Sequence, residues 1–409
     1  MAVLASEVHS GQPLAAAQPP HGALVLGGDY RALGVVRSLG RRGVPVWVVR
    51  EGDDQLAARS RYARRRVPWT AGGEAAGVMR LLQIADDGAR GFALIPSSDG
   101  TAALVARHHA LLSEHFVVTV PRWATMRRAY DKRLMHLLAA ELGLDTPHTA
   151  LPRHRRDVEA LELDFPAILK PAIKEHFNRL TAAKAWRVDN REELLAGYEQ
   201  ACTLVAPDIL MVQELIPGGG EAQLSFTALC EQGRVLAGLT ARRTRQYPVD
   251  VGRASTYVET IDCPEIVGPS HALLSALGWT GLVEVEYKRD PRDGRCKLLD
   301  VNPRVWGWHT LCARAGVDFP YLLWRALRGE TISSVASRSG VRWVRTTTDL
   351  PMVAREILAR RMRPAAYVRS LRGPLEGAIF ARDDPAPAIH EVPQLVSILA
   401  RRLVRGDGL

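Results

Sequence analysis

The sequence predicts a mixed α/β protein, doubly wound α/β at its start and strand-rich α+β further on. Three observations predict this. Residues 22–50 alternate strand, helix and strand. Short apolar strands bounded by glycine and proline recur from residue 165 to residue 240. Residues 281–304 read as a hairpin with carboxylates on its polar face. With 409 residues, 47% hydrophobic and 24% charged, the chain has the composition of a soluble globular protein of two or three domains. No apolar run approaches the roughly 18 residues of a membrane span. Met1 to Pro20 lacks a basic start followed by an apolar core, so no secretory signal is expected. Five cysteines without paired spacing fit a reducing, cytoplasmic compartment, with no disulfide framework and no zinc site.

Residues 1–21 are Ala-, Pro- and Gln-rich and aperiodic, as in a mobile tail. Ala23 to Leu26 is a buried-type strand, Gly27-Gly28-Asp29-Tyr30 a turn, and Arg31 to Arg42 a helix with Leu33, Val36 and Leu39 at helical spacing. A glycine turn opening a helix suits phosphate. It is equally the ordinary turn of a doubly wound sheet, and the full dinucleotide fingerprint is absent. Phe92 to Pro96 is a later strand of this region, which runs to residue 125. Ser97, Ser98 and Asp99 follow at its carboxyl end, where open parallel sheets bind ligands. Two readings of Asp99 stay open, a substrate contact or a cap on a helix Thr101 to His115.

A helix is expected from Tyr130 to Leu142, with Lys132 in its first turn and Gly143 after its end. The macrodipole opposes a lysine there, a local conflict of the kind found where function overrides stability. Only six lysines accompany 48 arginines, and four of the six (Lys132, Lys170, Lys174, Lys184) lie between 132 and 184. Lysine is a compact point charge suited to phosphate. Phe165 to Pro171 is a short strand ending in Lys170, followed by a glycine-free polar loop and a strand from Lys184 to Val188. Ile209 to Gln213 and Gln223 to Leu229 are strands joined through Glu214 and a glycine run. Arg242, Arg243 and Arg245 cluster between strands and offer bidentate anchors for a carboxylate or phosphate.

In the hairpin, Val283, Val285 and Tyr287 alternate with Glu284, Glu286 and Lys288, and Asp290 to Gly294 has turn chemistry. Asp300, Asn302 and Arg304 lie on the return. Carboxylates on a half-buried strand need a cation, and three converging oxygen donors suit a hard ion such as Mg²⁺. The alternative is an edge hairpin with a wet polar face. Residues 331–409 are Arg-rich and Lys-free, with helical stretches at 351–371 and 393–405. They read as an Arg-rich helical appendage, solvated or oligomer-forming, which leaves a homodimer open. The net charge of +10 fits an anionic ligand or a solvated arginine surface.

The order of these parts resembles the ATP-grasp superfamily. The resemblance rests on Lys132, on Lys170-Pro171, on Gln213-Glu214-Leu215-Ile216 with Glu221, and on Glu286 fourteen residues before Asp300-Val301-Asn302-Pro303-Arg304. It covers residues 22–330 and looks most like bacterial carboxylate–amine ligases such as D-aspartate ligase, and like carbamoyl-phosphate synthetase. It implies a Rossmann-like pre-ATP-grasp domain at 22–125 and a two-lobed ATP-grasp domain at 126–330, the small lobe at about 150–215. It implies ATP, with Mg²⁺ or Mn²⁺, as cofactors. Lys132, Lys170 and, less firmly placed, Lys184 would hold phosphates. The backbone of Gln213, Glu214, Leu215 and Ile216 would read adenine, and Glu221 the ribose. Glu286, Asp300 and Asn302 would hold the metal, leaving Glu284 as a supporting or solvated residue. Arg304 would face the acyl phosphate. The implied partners are small-molecule carboxylate and amine substrates, not nucleic acid or a membrane. A kinase or carboxylase with another acceptor, or a binding protein using the basic C-terminal segment, are the alternatives.

Overall fold

The computed structural model describes residues 14–393 apart from 51, 53, 54, 70, 71, 174–185, 248–253 and 334. Three sheets organise it. The first is parallel, with order β3-β2-β1-β4-β5. Its strands are β1 (Ala23–Leu26), β2 (Val46–Arg50), β3 (Ala63–Pro68), β4 (Ala93–Pro96) and β5 (Val117–Val118). Strand β1 is buried on both faces, which is why it reads as a continuous apolar run. The helix Tyr30–Gly40 follows the glycine turn, and Asp29 caps it by accepting from the N–H groups of Arg31 and Ala32.

A small four-stranded sheet comes next, in the order β6-β9-β7-β8. It comprises β6 (Thr149–Ala150), β7 (Ala167–Pro171), β8 (Trp186–Val188) and β9 (Leu210–Glu214). It has its own core, in which Val158, Leu169, Leu194 and Val212 pack together. The third sheet has seven strands, β14-β13-β10-β11-β12-β15-β16. These are β10 (Gln223–Glu231), β11 (Arg234–Tyr247), β12 (Ala254–Thr260), β13 (Gly281–Arg289), β14 (Cys296–Asn302), β15 (Arg342–Val344) and β16 (Leu375–Gly377).

The first and third sheets share their cores. One cluster joins Val25, Leu33 and Val48 to Leu239, Trp306 and Trp343 on one face of the large sheet. A second joins Leu24, Leu94 and Met126 to Phe226, Val283 and Val285 on the other face. Gly281, with φ of +101°, opens β13 against Thr119, and a Cβ there would come within 2.3 Å of the Thr119 carbonyl oxygen. The approach sets the start of the hairpin beside the end of β5. No described helix is long and apolar enough to cross a membrane.

The helix expected from Tyr130 to Leu142 is present as Lys132–Glu141, with Asp131 extended and capping it through the Arg133 N–H, and a separate helix, Trp123–Tyr130, precedes it. Two expectations change. The arginine cluster is not a loop, since Arg242, Arg243 and Arg245 lie inside β11 with bulges on either side of Arg245. Over its described part, the C-terminal segment is not a helical appendage. It adds β15 and β16 to the large sheet, around the helices Thr346–Leu358 and Pro364–Ser370. Three-residue strands carry too little pattern to be legible in sequence. The stretch at 393–405 falls outside the described residues after position 393.

Buried charge ties this segment to the first helix. The Arg37 guanidinium donates to Asp384 at 2.9 Å, with side-chain exposures of 6% and 1%. Ser60 and the Arg61 N–H also donate to Asp384. Asp384→Ala removes one partner of a buried pair, so equilibrium unfolding in denaturant should show a loss of about 3–5 kcal/mol. Asp383→Ala, which breaks the exposed pair with Arg41, should cost under about 1 kcal/mol in the same measurement.

Candidate active site

The site is built on the β13–β14 hairpin. Its register pairs Glu284 with Asn302, Val285 with Val301 and Glu286 with Asp300, followed by a bulge after Glu286. Val283, Val285 and Tyr287 enter the core on one face. The other face carries the polar groups, and it is covered rather than wet. Glu284 is 3% exposed and Asn302 5%. Glu284 is therefore a buried supporting residue and not a solvated one. It accepts hydrogen bonds from Ser225 Oγ at 3.0 Å, Asn302 Nδ2 at 3.0 Å and Trp308 Nε1 at 3.1 Å. Burial, and next the neighbouring Glu286, push its carboxyl up to about 7.

Three cations converge on this face. The Lys132 ammonium meets Asp300 at 2.5 Å. Arg243 donates to Glu286 at 2.8 Å. Arg304 donates to Asp99 at 2.9 and 3.2 Å, and to Asn302 Oδ1 at 3.2 Å. Burial opposes the charge of Arg304, but its pairing with Asp99, with Glu284 and Glu286 beyond, raises its pKa overall. Of the two readings of Asp99, the cap falls to Ser98, which forms a capping box with Thr101. Asp99 instead bridges from the carboxyl end of β4 to the hairpin. Lys132 has 8% exposure at the first position of its helix, so Asp300 and the Asp131 cap offset the macrodipole.

Lys170, on β7, donates to Gln213 Oε1 at 2.7 Å. The Gln213 amide nitrogen lies 2.7 Å from Thr149 Oγ1 and 3.1 Å from His136 Nε2. His136 is one helical turn after Lys132, so it sits between the two lysines. The hinge after β9 is held by charge. The Glu214 carboxylate takes Arg292 at 2.8 Å and Lys297 at 3.0 Å. The Glu214 and Leu215 N–H groups donate to the His148 and Pro166 carbonyls. Lys288 donates to the Ile216 and Gly218 carbonyls at 2.8 and 2.7 Å, and burial lowers its pKa. Glu221 accepts from the Gly219 N–H.

The structure thus brings together Asp99, Lys132, Arg243, Glu286, Asp300, Asn302 and Arg304. Lys170 and Gln213 are joined to this group through His136. Arg242 and Arg245 are turned elsewhere: Arg242 pairs with Glu259, and Arg245 makes a two-nitrogen pair with buried Asp349 beneath the Tyr257 ring. Lys184 lies outside the described residues. Among those residues no set of three or more His, Cys, Asp or Glu side chains is gathered as a metal site. The predicted set holds two carboxylates and an amide. Sequence reasoning missed His136, Trp308 and the role of Lys288. Only Lys288 carried a signal, the rarity of lysine.

This geometry agrees with comparison to known proteins. Residues 207–349 match the family described as "ATP-grasp in the biosynthetic pathway with Ter operon". Over these residues the chain is similar to an ATP-grasp domain. It is 26% identical over 236 residues to D-aspartate ligase of Enterococcus faecium, covering 53% of this chain and 54% of that protein. The chain thus spans about half the length of that relative. The ATP-grasp fold is shared with two solved structures. L-amino acid ligase from Bacillus licheniformis aligns with a TM-score of 0.59 at 18% identity, over 76% of this chain and 75% of that one. N5-carboxyaminoimidazole synthetase from Staphylococcus aureus aligns with a TM-score of 0.65 at 12% identity, over 84% and 88%.

Burial first, then Lys170 and Lys132, lower the His136 pKa from 6.5 to about 4. On acidification the unfolded chain binds this proton near pH 6.5, and the folded site only near pH 4. Its contribution to stability is complete above about pH 6.5 and is lost as pH falls through about 4. His136→Gln should flatten that part of the pH profile of denaturant midpoints. His109, also lowered to about 4, supplies a term of the same sign in both proteins.

Proposed function

We propose that the chain is an ATP-dependent carboxylate–amine ligase that forms an amide bond through an acyl phosphate and releases ADP and phosphate. The observation that carries this reading is the convergence of Lys132, Arg243 and Arg304 on the carboxylates and amide of one hairpin. The similarity of the chain to D-aspartate ligase supports it. In this reading residues 22–125 are a Rossmann-like pre-ATP-grasp domain, and the expected mobile tail is not kept for residues 14–21, since Leu14 is buried in the core and the Ala16 N–H donates to the Leu327 carbonyl. The ATP-grasp domain starts at residue 126, with a small lobe at about 150–215, and runs past the expected boundary at 330, because β15 and β16 belong to its large sheet. The enzyme works in the cytoplasm on small molecules, and five free cysteines support a reducing compartment.

The donor set fits a divalent cation. Glu286 and Asp300 lie directly opposite each other, and Asn302 Oδ1 is turned toward Arg304 by the donation of Asn302 Nδ2 to Glu284 and Glu286. Burial, and next the charge of Glu286, raise the pKa of Glu284 beside them. Glu286, Asp300 and Asn302 would hold Mg²⁺ or Mn²⁺, which when bound would neutralise the triphosphate oxygens.

The chain's own groups do the rest. Lys132 and Lys170 bind phosphate oxygens, the hinge Gln213–Ile216 and Glu221 hold the nucleoside, and Lys184 is assigned to phosphate by resemblance alone. A substrate carboxylate oxygen attacks the γ-phosphorus and ADP leaves. An amine then attacks the acyl carbon, the C–O bond to the phosphoryl group breaks, and inorganic phosphate leaves carrying the electron pair and accepting the amine's proton. Arg304 faces the negative charge that develops on the acyl oxygen, held in place by Asp99.

The test is product analysis with ATP, Mg²⁺ and paired amino acids and other small acids and amines. ADP and phosphate should appear only when acid and amine are both present. Release of AMP would sink the reading. Arg304→Met should lower kcat by about 100- to 1,000-fold, and Asp300→Asn should do at least as much, both read as ADP formation.

A further inference from the structure

A second cluster of donors lies on the same face of the large sheet. Strands β12 and β15 pair Tyr257 with Val344 and Val258 with Trp343. The Arg345 N–H donates to the Thr256 carbonyl at 2.9 Å, which sets Arg345 opposite Thr256. Val258 and Trp343 enter the core shared with the parallel sheet. Alternation places Thr256 and Arg345 on that face too. Arg243 pairs with Val258 from the other side of β12, so it faces the same way. Arg243 on β11 and Arg345 just beyond β15 flank β12, so their backbones lie two strand spacings of about 4.8 Å apart, a gap that two arginine side chains can span toward a common anion.

These three residues hold buried polar atoms with no partner among the described residues. They are Arg243 Nε, Arg345 Nε and Thr256 Oγ1, the last in a residue with 0% exposure. Native proteins pair nearly all such groups. All three can donate, so the missing partner is an acceptor, and two guanidinium groups make it an anion. Arg345 also carries a nearby acid, with Glu391 Oε1 at 3.7 Å from one terminal nitrogen. That contact leaves its Nε unpaired.

Tyr30 connects this cluster to the hairpin. The Arg345 guanidinium carbon lies 4.2 Å from the Tyr30 ring centre. The Tyr30 hydroxyl reaches Gly307, where a Cβ would come within 2.8 Å of it. Gly307 is three residues beyond Arg304. Tyr30 itself follows β1 at the carboxyl end of the parallel sheet, the side on which such sheets bind ligands.

We propose that Arg345, Arg243 and Thr256, against the Tyr30 ring, form a pocket for a second carboxylate on the substrate acid. The acid is then a dicarboxylic small molecule, with one carboxyl group facing Arg304 for activation and the other held here. The assignment rests on the ligase reading, and it names Arg345 as the residue that sets which acid is accepted.

The test is calorimetric titration of the full chain, with and without Mg-ADP, using succinate, aspartate and glutamate against asparagine and glutamine. At least one dicarboxylate should bind about tenfold or more tightly than its monoamide, as expected for charge-assisted hydrogen bonds. Arg345→Gln should erase that preference, and Arg345→Lys should restore only part of it. Thr256→Val removes one hydroxyl from a near-identical shape and should weaken the preferred acid severalfold, which guards against an Arg345 variant that fails to fold. Equal binding of acid and amide by the wild-type chain, or an intact preference in Arg345→Gln, would overturn the pocket. The preference without any ADP release from acid and amine would instead overturn the ligase reading and leave the pocket standing.

Discussion

Direct opposition of Glu286 and Asp300 across β13 and β14 is the constraint that the surrounding structure answers. Two carboxylates facing each other on a covered sheet, with Glu284 buried one pair away, would repel in a low dielectric. Each is met by charge or donors from a different element. Lys132 comes from a helix start, Arg243 from β11, and Arg304 from the chain just beyond the hairpin. Asp99 then balances Arg304 from the parallel sheet. The polar site and the packing of two sheets are therefore one arrangement, because the cations that satisfy the hairpin are carried by the elements that pack against it.

The same logic explains why strained or unfavourable features collect here. Lys132 sits where the helix dipole opposes it, and Glu284 carries a carboxyl whose ionisation burial resists. His136 stays neutral between two ammonium groups. None of these choices improves a core. Each keeps a charge or an acceptor at a fixed point, as the proposed binding of a polyphosphate and polarisation of an acyl group would require. Away from the hairpin, the chain uses buried ion pairs as struts. Arg245 with Asp349 and Arg37 with Asp384 fasten the C-terminal segment to the sheets.

How far the sequence was legible depends on the range of the interaction. The β1–turn–helix start, the hairpin with its buried Val283, Val285 and Tyr287, and the helix stop at Gly143 (φ +65°) were all readable, because each follows from local periodicity or turn chemistry. The fourteen-residue spacing singled out Glu286 and Asp300, and the register makes them partners. The short helix Trp123–Tyr130 ahead of Asp131 was not legible, since it buries only Met126 and Ala129 and shows too little period. The strands β15 and β16 were not either, because three residues cannot show a period.

By itself, then, the sequence determined the α/β character, the hairpin, the oxygen donors on it and the unusual lysines. These follow from residue type and spacing, which a chain carries before it folds. Only the tertiary structure decided which cation meets which carboxylate. It sent Arg243 to Glu286 while Arg242 and Arg245, its neighbours, went to Glu259 and Asp349. It also gave the helix cap to Ser98 and made Asp99 the partner of Arg304, and placed Trp308 and Ser225 on Glu284. The reason is physical: these contacts join residues from 17 to more than 200 positions apart. Their formation depends on strand register, bulges and sheet packing, none of which residue spacing alone encodes.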